Sequence, residues 1–530
     1  LQDEIQSKQI FENLYSINEN SFNTSDTYHI NKQPKQYRGD LEIKYNSSKK
    51  SLLEYNLRVR QENITTKSSI FSNNNRNLES QLKSEDFYFK QNLLFTNKIS
   101  KKKALQFSFF QSTNSVPQES YYVIDPTNKD IQNAKFKKNY IKTEATLLGA
   151  TKNKKYTFSI GNIINYNILQ SDLFNESQPS LFSKNNLDYQ KTTFYQLGSY
   201  TINNGKWSFS SSYLINYIKQ MLDDKIKNTL KKQNNFIIEP SIKIKYKLNQ
   251  TSFLLGKLGY NQTSNIEKHL FLNQILINNR ISINNTPSFD FQKTLSYGIY
   301  YYNNDLYNQL QLNIGINYQN NKGNYFTDSE FTENTTSINY FFLPKDNKDL
   351  TFSFLIDKYV SFLESTLKLT SNYSISEYKN IVNDSDLRSN KNKSLETKFY
   401  IKTAFNGLLN FKNTFHLSNS ISENSNRKIF SNTSYNNKFD IILNPSNKWL
   451  VLFSSNYLLP NIKKKNECFF FLDFSVRYKP KNERLEFNFR ANNILNENNI
   501  EQIQTSDFST SIFRTNILPN HYLLNMTYSF

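Results

Sequence analysis

The residues able to make or break bonds are few and scattered along the 530-residue chain. Its four histidines, His29, His269, His416 and His521, lie far apart, with no HExxH motif and no i,i+4 pair to hold a metal. Cys468 is the single cysteine, so neither an internal disulfide framework nor a cysteine-rich metal site can be built. P-loop, GxGxxG and GxSxG patterns are missing, and with only 11 glycines such phosphate-cradling or nucleophile turns could hardly be made. Asn383, Asp384 and Asp386 offer oxygens of the kind Ca²⁺ takes, yet without EF-hand spacing they read as a solvated turn. The expectation is therefore no catalytic residues, no metal and no cofactor.

What remains is chemistry of recognition. Lys243, Lys245 and Lys247 repeat at every second position, as do Arg58 and Arg60. On a strand each set projects from one face, where it either meets an anionic ligand or solvates the wall and pairs with carboxylates. Tyr121 with Tyr122, and Tyr325 with Phe326, lie in polar stretches; they could stack on a sugar or chelate, or pack a long loop onto its neighbours. The net charge of +20 suggests nucleic acid at first sight. The basic residues are spread out rather than gathered in a tract, however, and abundant Lys, Asn and Ile with scarce Gly and Ala are what an AT-rich genome produces. Nucleic acid is not an expected partner, whereas anionic lipid headgroups suit the charge.

The elements that must position these groups alternate with period two. Hydrophobic residues make up 37% of the chain, and the longest unbroken apolar runs, Cys468–Leu472 and Trp449–Phe453, are far shorter than the roughly 20 residues of a transmembrane helix. Leu310, Leu312, Ile314, Ile316 and Tyr318 alternate with Gln311, Asn313, Gly315 and Asn317, which places every apolar side chain on one face of a strand. Residues 53–59, 242–248, 470–478 and 485–490 repeat the pattern. A β-sandwich also alternates, but many of these segments reach the roughly ten residues that a tilted strand needs to cross a bilayer.

Ten short polar turns, from Asn46–Lys50 to Pro480–Asn482, are separated by longer polar stretches at 61–85, 113–136, 168–188, 219–233, 263–290, 320–347, 379–395 and 495–518. Short turns on one side and long loops on the other are the asymmetry of outer-membrane barrels. With a first strand within residues 8–22 and a last one after the final loop, the expected fold is all-β: a large antiparallel transmembrane β-barrel of about 22 strands. Its short turns would be periplasmic and its long loops extracellular. Trp207 and Trp449 follow short turns, where an interfacial aromatic girdle would sit, and Cys468 is expected to be a buried, inert thiol.

The C-terminal strand alternates Tyr522, Leu524, Met526, Tyr528 and Phe530 with Asn525, Thr527 and Ser529, which looks like the signal read by the barrel assembly machinery. Arg484–Asn496 (RLEFNFRANNILN) and the closing LPNHYLLNMTYSF resemble the last two strands of TonB-dependent outer membrane receptors. The stretch IDKYVSFLESTLKLTSNYS resembles the barrels of that family common in Bacteroidetes, the SusC-like type among them. This resemblance covers residues 36–530, the expected barrel domain, and leaves 1–35 as an N-terminal segment with a possible first strand, a remnant of the connection to a plug.

The resemblance implies TonB-dependent uptake of a nutrient such as a metal chelate, oligosaccharide or peptide. The expected partners are outer membrane lipid and lipopolysaccharide, the assembly machinery, the TonB complex acting through a plug not present here, and a surface lipoprotein lid. A plug would lie upstream, so the chain is expected to be the barrel part of a longer protein. A scaffold subunit of a surface or secretion complex, or a passive pore, is the alternative; a barrel enzyme would need a nucleophile or carboxylate partner that His416 and His521 lack.

Overall fold

The computed structural model describes residues 4–17, 20–72, 76–125, 128–175, 183–264, 266–424, 429–464, 467–480 and 484–528. Twenty-six strands among them belong to one sheet, and single 3-10 turns at Ile266–Lys268 and Ser361–Leu363 are the helical content. No helix is long and apolar enough to cross a membrane. The first nine strands are β1 (Ile5–Ile17), β2 (Asn20–Ser48), β3 (Ser51–Ser72), β4 (Arg76–Ser100), β5 (Lys103–Asp125), β6 (Asn128–Ala150), β7 (Lys154–Asn175), β8 (Ser183–Asn204) and β9 (Trp207–Asp224). Next come β10 (Thr229–Lys247), β11 (Ser252–Thr263), β12 (Ile275–Leu276), β13 (Ile281–Thr286), β14 (Gln292–Asp305), β15 (Leu310–Phe331), β16 (Thr336–Val360), β17 (Ser365–Val382) and β18 (Arg388–Thr403). The last are β19 (Leu409–Glu423), β20 (Ile429–Ser446), β21 (Trp449–Leu459), β22 (Phe469–Tyr478), β23 (Leu485–Asn492), β24 (Asn499–Thr505), β25 (Ser509–Asn516) and β26 (His521–Tyr528).

The sheet is antiparallel, sequential neighbour on sequential neighbour, apart from short parallel pairings of β13 with β16 and β15 with β17. Two insertions interrupt the sequence order. β11 pairs with β14 past β12 and β13, and β23 pairs with β26 past the β24–β25 hairpin. β1 lies between β2 and β25, with Gln9 opposite Tyr28 on one side and Thr515 on the other. Residues 5–17 and 20–35 are thus strands of the same sheet as the rest.

The strand number corrects the expected 22. The excess is four short strands, β12, β13, β24 and β25, all inside stretches expected to be loops (263–290 and 495–518). The other long stretches are mostly strand as well. β3 and β4 run to Ser72 and from Arg76, and β15 and β16 to Phe331 and from Thr336, so the hairpin ends are short. Pairing continues where both faces have become polar, since backbone groups still need partners after the apolar alternation has stopped.

One face carries the exposed apolar side chains: Tyr37, Leu41, Ile43 and Tyr45 on β2, Phe158 and Ile160 on β7, Ile314 and Ile316 on β15. These lie toward the short-turn end, as a lipid-facing band requires. Trp207 stacks on Tyr246 at 4.5 Å and Trp449 on Tyr478 at 4.4 Å, each pair at that same end. Tyr522, Leu524, Met526 and Tyr528 share the outer face with Phe487 and Phe489 of β23. Phe530 lies outside the described residues. Cys468 is exposed, correcting the expected buried thiol: it sits just before β22, ahead of the first paired residue.

On the inner face, Glu144, Gly161 and Tyr195 form one row across β6, β7 and β8. The missing side chain of Gly161 lets the Tyr195 ring cross it and donate to Glu144 Oε2 at 2.6 Å. A Cβ at 161 would come 2.6 Å from the Thr143 carbonyl oxygen and 2.5 Å from the Tyr195 ring. Gly161→Val should therefore destabilise the folded sheet by about 1–3 kcal/mol through overpacking, measured by thermal melting in detergent. Tyr195→Phe, which loses only the hydrogen bond, should cost about 0.5–1.5 kcal/mol; equal melting of Gly161→Val and wild type would refute the packing role.

Candidate functional site

The segment between β11 and β14, residues 264–291, turns inward and forms a strap across the inner face at the long-hairpin end. Its apolar residues decide the path. Ile266, Leu270 and Ile275 bury themselves against Leu169 of β7, Leu187 and Tyr189 of β8 and Leu222 of β9, an apolar patch on a wall that is otherwise polar. Each fully buried Ile or Leu stabilises such an anchor by roughly 1.5–3 kcal/mol. Wall carboxamides then hold the strap backbone. Asn185 Oδ1 accepts from Leu272 N at 3.2 Å and Asn273 N at 2.9 Å. Gln132 accepts from Leu276 N at 2.8 Å and donates to Leu276 O at 2.9 Å.

Beyond β12 the strap reaches the opposite wall. Asn278 Oδ1 caps a turn by accepting from Arg280 N at 2.9 Å and Ile281 N at 2.7 Å. Tyr28 Oη of β2 donates to Asn279 Oδ1 at 3.0 Å. Arg280 grips Asp26 of β2 with two charge-assisted bonds of 2.8 and 2.9 Å, and also donates to Glu333 O. Both side chains are over nine-tenths buried. β13 then adds to β16, and His269 lies between the rings of Tyr325 (4.1 Å) and Tyr340 (4.9 Å). Burial, with Lys268 beside it, pushes the His269 pKa down to about 4, so the ring is neutral at neutral pH.

A second buried pair secures the β24–β25 hairpin. Asp507, 1% exposed, accepts from Arg388 Nη2 at 2.6 Å, Tyr378 Oη at 2.8 Å and Asn380 Nδ2 at 3.3 Å. The hairpin is thereby tied to β17 and β18, while β25 pairs with β1. Lined by the strap turn, strands β1–β5, the tips of β15 and β16 and this hairpin is a cavity of about 680 Å³. That volume lies within the about 300–1,000 Å³ typical of small-molecule sites. Burial raises the Tyr28 phenol at its edge to about 12, with Asp26 adding to the rise.

The residues singled out in the sequence separate into groups. Lys243, Lys245 and Lys247 face inward near the short-turn end, opposite to the outward Ile244 and Phe236. Lys243 pairs across the strands with Lys257, and Lys245 lies 3.6 Å over the Phe253 ring. Among the described residues no carboxylate is within ion-pair distance of these four lysines. Arg58 and Arg60 face inward too but have carboxylate partners: Arg58 bonds Asp40 at 2.6 Å, sharing it with Arg38, and Arg60 bonds Asp86. Of the aromatics, Tyr122 lines the cavity, while its neighbour Tyr121 donates to Glu119 from the other face. Tyr325 holds the strap through Ser288 N and O at 2.8 and 3.1 Å, and Phe326 is buried. Asn383 and Asp384 adopt left-handed turn conformations, and Asn383 caps Phe331. No cluster able to hold a metal occurs among the described residues.

Asp26, Arg280, Arg388 and Asp507 had no sequence signal as single charges. The strap did: HLFLNQIL, residues 269–276, is an apolar run without strand alternation inside a polar stretch.

No family model and no curated protein matches this sequence. Solved structures do resemble it. The copper transporter OprC is 7% identical, with 96% of this chain and 80% of that one covered and a TM-score of 0.52. The ferric citrate transporter FecA, unliganded, is 8% identical over 96% of this chain and 78% of that one, at 0.48. The siderophore receptor PirA from Pseudomonas aeruginosa is 8% identical over 97% and 80%, at 0.44. The likeness to OprC establishes a shared fold, and the fold alone.

Two outcomes follow from the strap. Arg280→Met leaves Asp26 buried without its partner, a loss of about 3–5 kcal/mol for a buried pair. The strap turn should become the fastest-exchanging part of the segment by hydrogen exchange, with the β3–β6 hairpins unchanged; unchanged protection at 277–281 would refute the latch. Because the folded His269 pKa lies below its usual 6.5, protonation opposes docking. Docking should be fully stable above pH 6.5 and weaken as pH falls from there to about 4. His269→Phe should remove that pH dependence of strap protection; an unaltered dependence would show that another group carries it.

Proposed function

We propose that the chain is the wall of an outer membrane barrel that imports a small nutrient in the TonB-dependent manner, binding it at the strapped end and passing it along the polar inner face. The observation that carries this reading is the strap. A passive pore or a scaffold lumen has no use for a segment latched across it by a buried ion pair, whereas a receptor needs a mouth that holds ligand before letting it through. The outward apolar band, the paired Trp–Tyr rings and the fold shared with a transporter support the membrane placement.

In this reading the outer face contacts membrane lipid and lipopolysaccharide, and Tyr522, Leu524, Met526 and Tyr528 address the assembly machinery. A plug encoded with the chain carries the contact with TonB. Lys243, Lys245, Lys247 and Lys257 make the wall below the cavity positive and lower the barrier for any negatively charged group on its way through. A surface lipoprotein would have the long hairpins to sit on. The seven-percent likeness to OprC carries no ligand with it, and copper is not inferred.

The reading is tested in the native organism, by deleting the gene for this chain and, separately, the gene for TonB. Growth is scored on limiting ferric chelates, copper, peptides and neutral oligosaccharides, each as sole source. Loss of growth on the same nutrient in both strains is expected. Undiminished growth on every nutrient, with the protein abundant in the wild-type outer membrane, would overturn an import role.

A further inference from the structure

We infer that the cavity behind the strap takes an uncharged, hydroxyl-rich ligand, a short neutral oligosaccharide, and not an anionic chelate. The inference rests on the import reading and names the substrate class of its site. The cavity's charge comes first. Of the side chains lining it, only Asp26 and Arg280 are ionised near neutral pH, and each is the other's bidentate partner at 2.8 and 2.9 Å. An anion entering here would be desolvated with no free cation to receive it, a cost that a small-molecule site cannot absorb without a paired charge. The lysine-rich wall that would serve an anion lies on β10 and β11, whose residues do not line this cavity.

The polar lining is made of groups that donate and accept at once. Gln9, Gln502 and Gln504 reach the cavity from β1 and β24, and none of their carboxamides has a protein hydrogen-bond partner among the described residues. A carboxamide offers one acceptor and two donors, which matches a sugar hydroxyl that is itself both donor and acceptor. A carboxylate or phosphate ligand would use only the donors and leave the amide oxygens facing negative charge. An isolated apolar ligand would leave all three amides unpaired.

The third element is a contiguous aromatic ladder. Phe11 of β1 meets Tyr28 of β2 edge-on at 5.4 Å and Phe513 of β25 at 4.7 Å, so three adjacent strands present rings to one wall of the cavity. Phe11 keeps 39% of its surface exposed. Ring faces flanked by free carboxamides bind a flat polyol, whose C–H face is apolar and whose rim is hydroxyl. The volume of about 680 Å³ admits a short chain of such rings rather than a single one or a folded peptide.

The test uses the full-length protein purified from native outer membrane in detergent, with titration calorimetry against neutral oligosaccharides (malto-, cello- and xylo-series) and ferric citrate as the anionic probe. One neutral series should bind, with affinity unchanged between about 0.1 M and 1 M salt because no charge is involved. Gln502→Ala and Gln504→Ala should each weaken it roughly three- to tenfold. Phe11→Leu should weaken it further while strap protection in hydrogen exchange stays as in wild type. Binding of ferric citrate that fades with salt, or saccharide binding indifferent to all three variants, overturns the inference. If none of the saccharides binds while the deletion strains still lose growth on another nutrient, the ligand class is wrong and the import reading stands. If the deletion strains lose nothing, the import reading itself has failed.

Discussion

In hydrocarbon no water is available to satisfy a backbone N–H or C=O, so a strand that crosses a membrane must be bonded on both edges by other strands. Pairing of strand on neighbouring strand organises this chain more than any side chain does. It makes sequence neighbours into spatial neighbours, with β2 to β11 and β14 to β23 joined by hairpin after hairpin. It also lets the side chains divide into an outward apolar set and an inward polar set without changing the backbone. The inward set then accepts residues a soluble core would reject, such as the row of Glu144, Gly161 and Tyr195 or the facing lysines 243 and 257. Pairing has no reason to stop at the lipid boundary, and strands of 22 residues or more in β3 to β8 carry it well past the roughly ten that a bilayer needs.

A wall of this kind is polar inside, so anything docked on it must either bring its own hydrogen bonds or find an apolar patch. The strap does both. Leu169, Leu187 and Leu222 interrupt the polar inner face where Ile266 and Leu270 arrive, and Asn185 and Gln132 satisfy the strap backbone beside them. At the far wall the strap relies on charge instead. Arg280 and Asp26 are both buried, and such a pair adds little net stability over apolar packing, but it tolerates no mismatch of register because a lone buried charge is costly. Hydrophobic contact thus anchors one end of the strap, and ionic contact specifies where the other end must land.

The sequence showed the alternation clearly in Leu310 to Tyr318 and Ile242 to Leu248, and eight of its ten short turns overlap turns of the structure; Asn303–Asp305 is the end of β14, with the turn following it, and Pro480–Asn482 lies partly outside the described residues. The long antiparallel strands from β2 to β11 and from β14 to β22 were legible for the same reason. β12, β13, β24 and β25 were not, because two to eight residues in a polar stretch carry too few alternations to distinguish a strand from a loop. Charge partners were also invisible. Arg280 and Asp26 are 254 positions apart, and Arg388 and Asp507 are 119 apart, so only the tertiary fold brings them together. Tyr121 and Tyr122 show the limit at its smallest scale: adjacent aromatics in a strand necessarily face opposite sides, so a pair in sequence is never a pair in space.

The ionic end of the strap and the cavity share residues, and this has an energetic consequence. Tyr28, Asn279 and Arg280 hold the strap turn and line the cavity at once. A ligand touching the docked turn has to favour docking by the same factor by which docking favours the ligand, since coupling between two equilibria is reciprocal. Filling the cavity would therefore tighten the strap, adding stability that grows as the logarithm of ligand concentration over its dissociation constant. Release toward the opposite end then needs work done on the strap or on whatever supports it from below. The hairpin ends alone supply none, because they are held by the same antiparallel bonds as the wall. Docking of the strap and filling of the cavity thus draw on one set of contacts, those of Tyr28, Asn279 and Arg280.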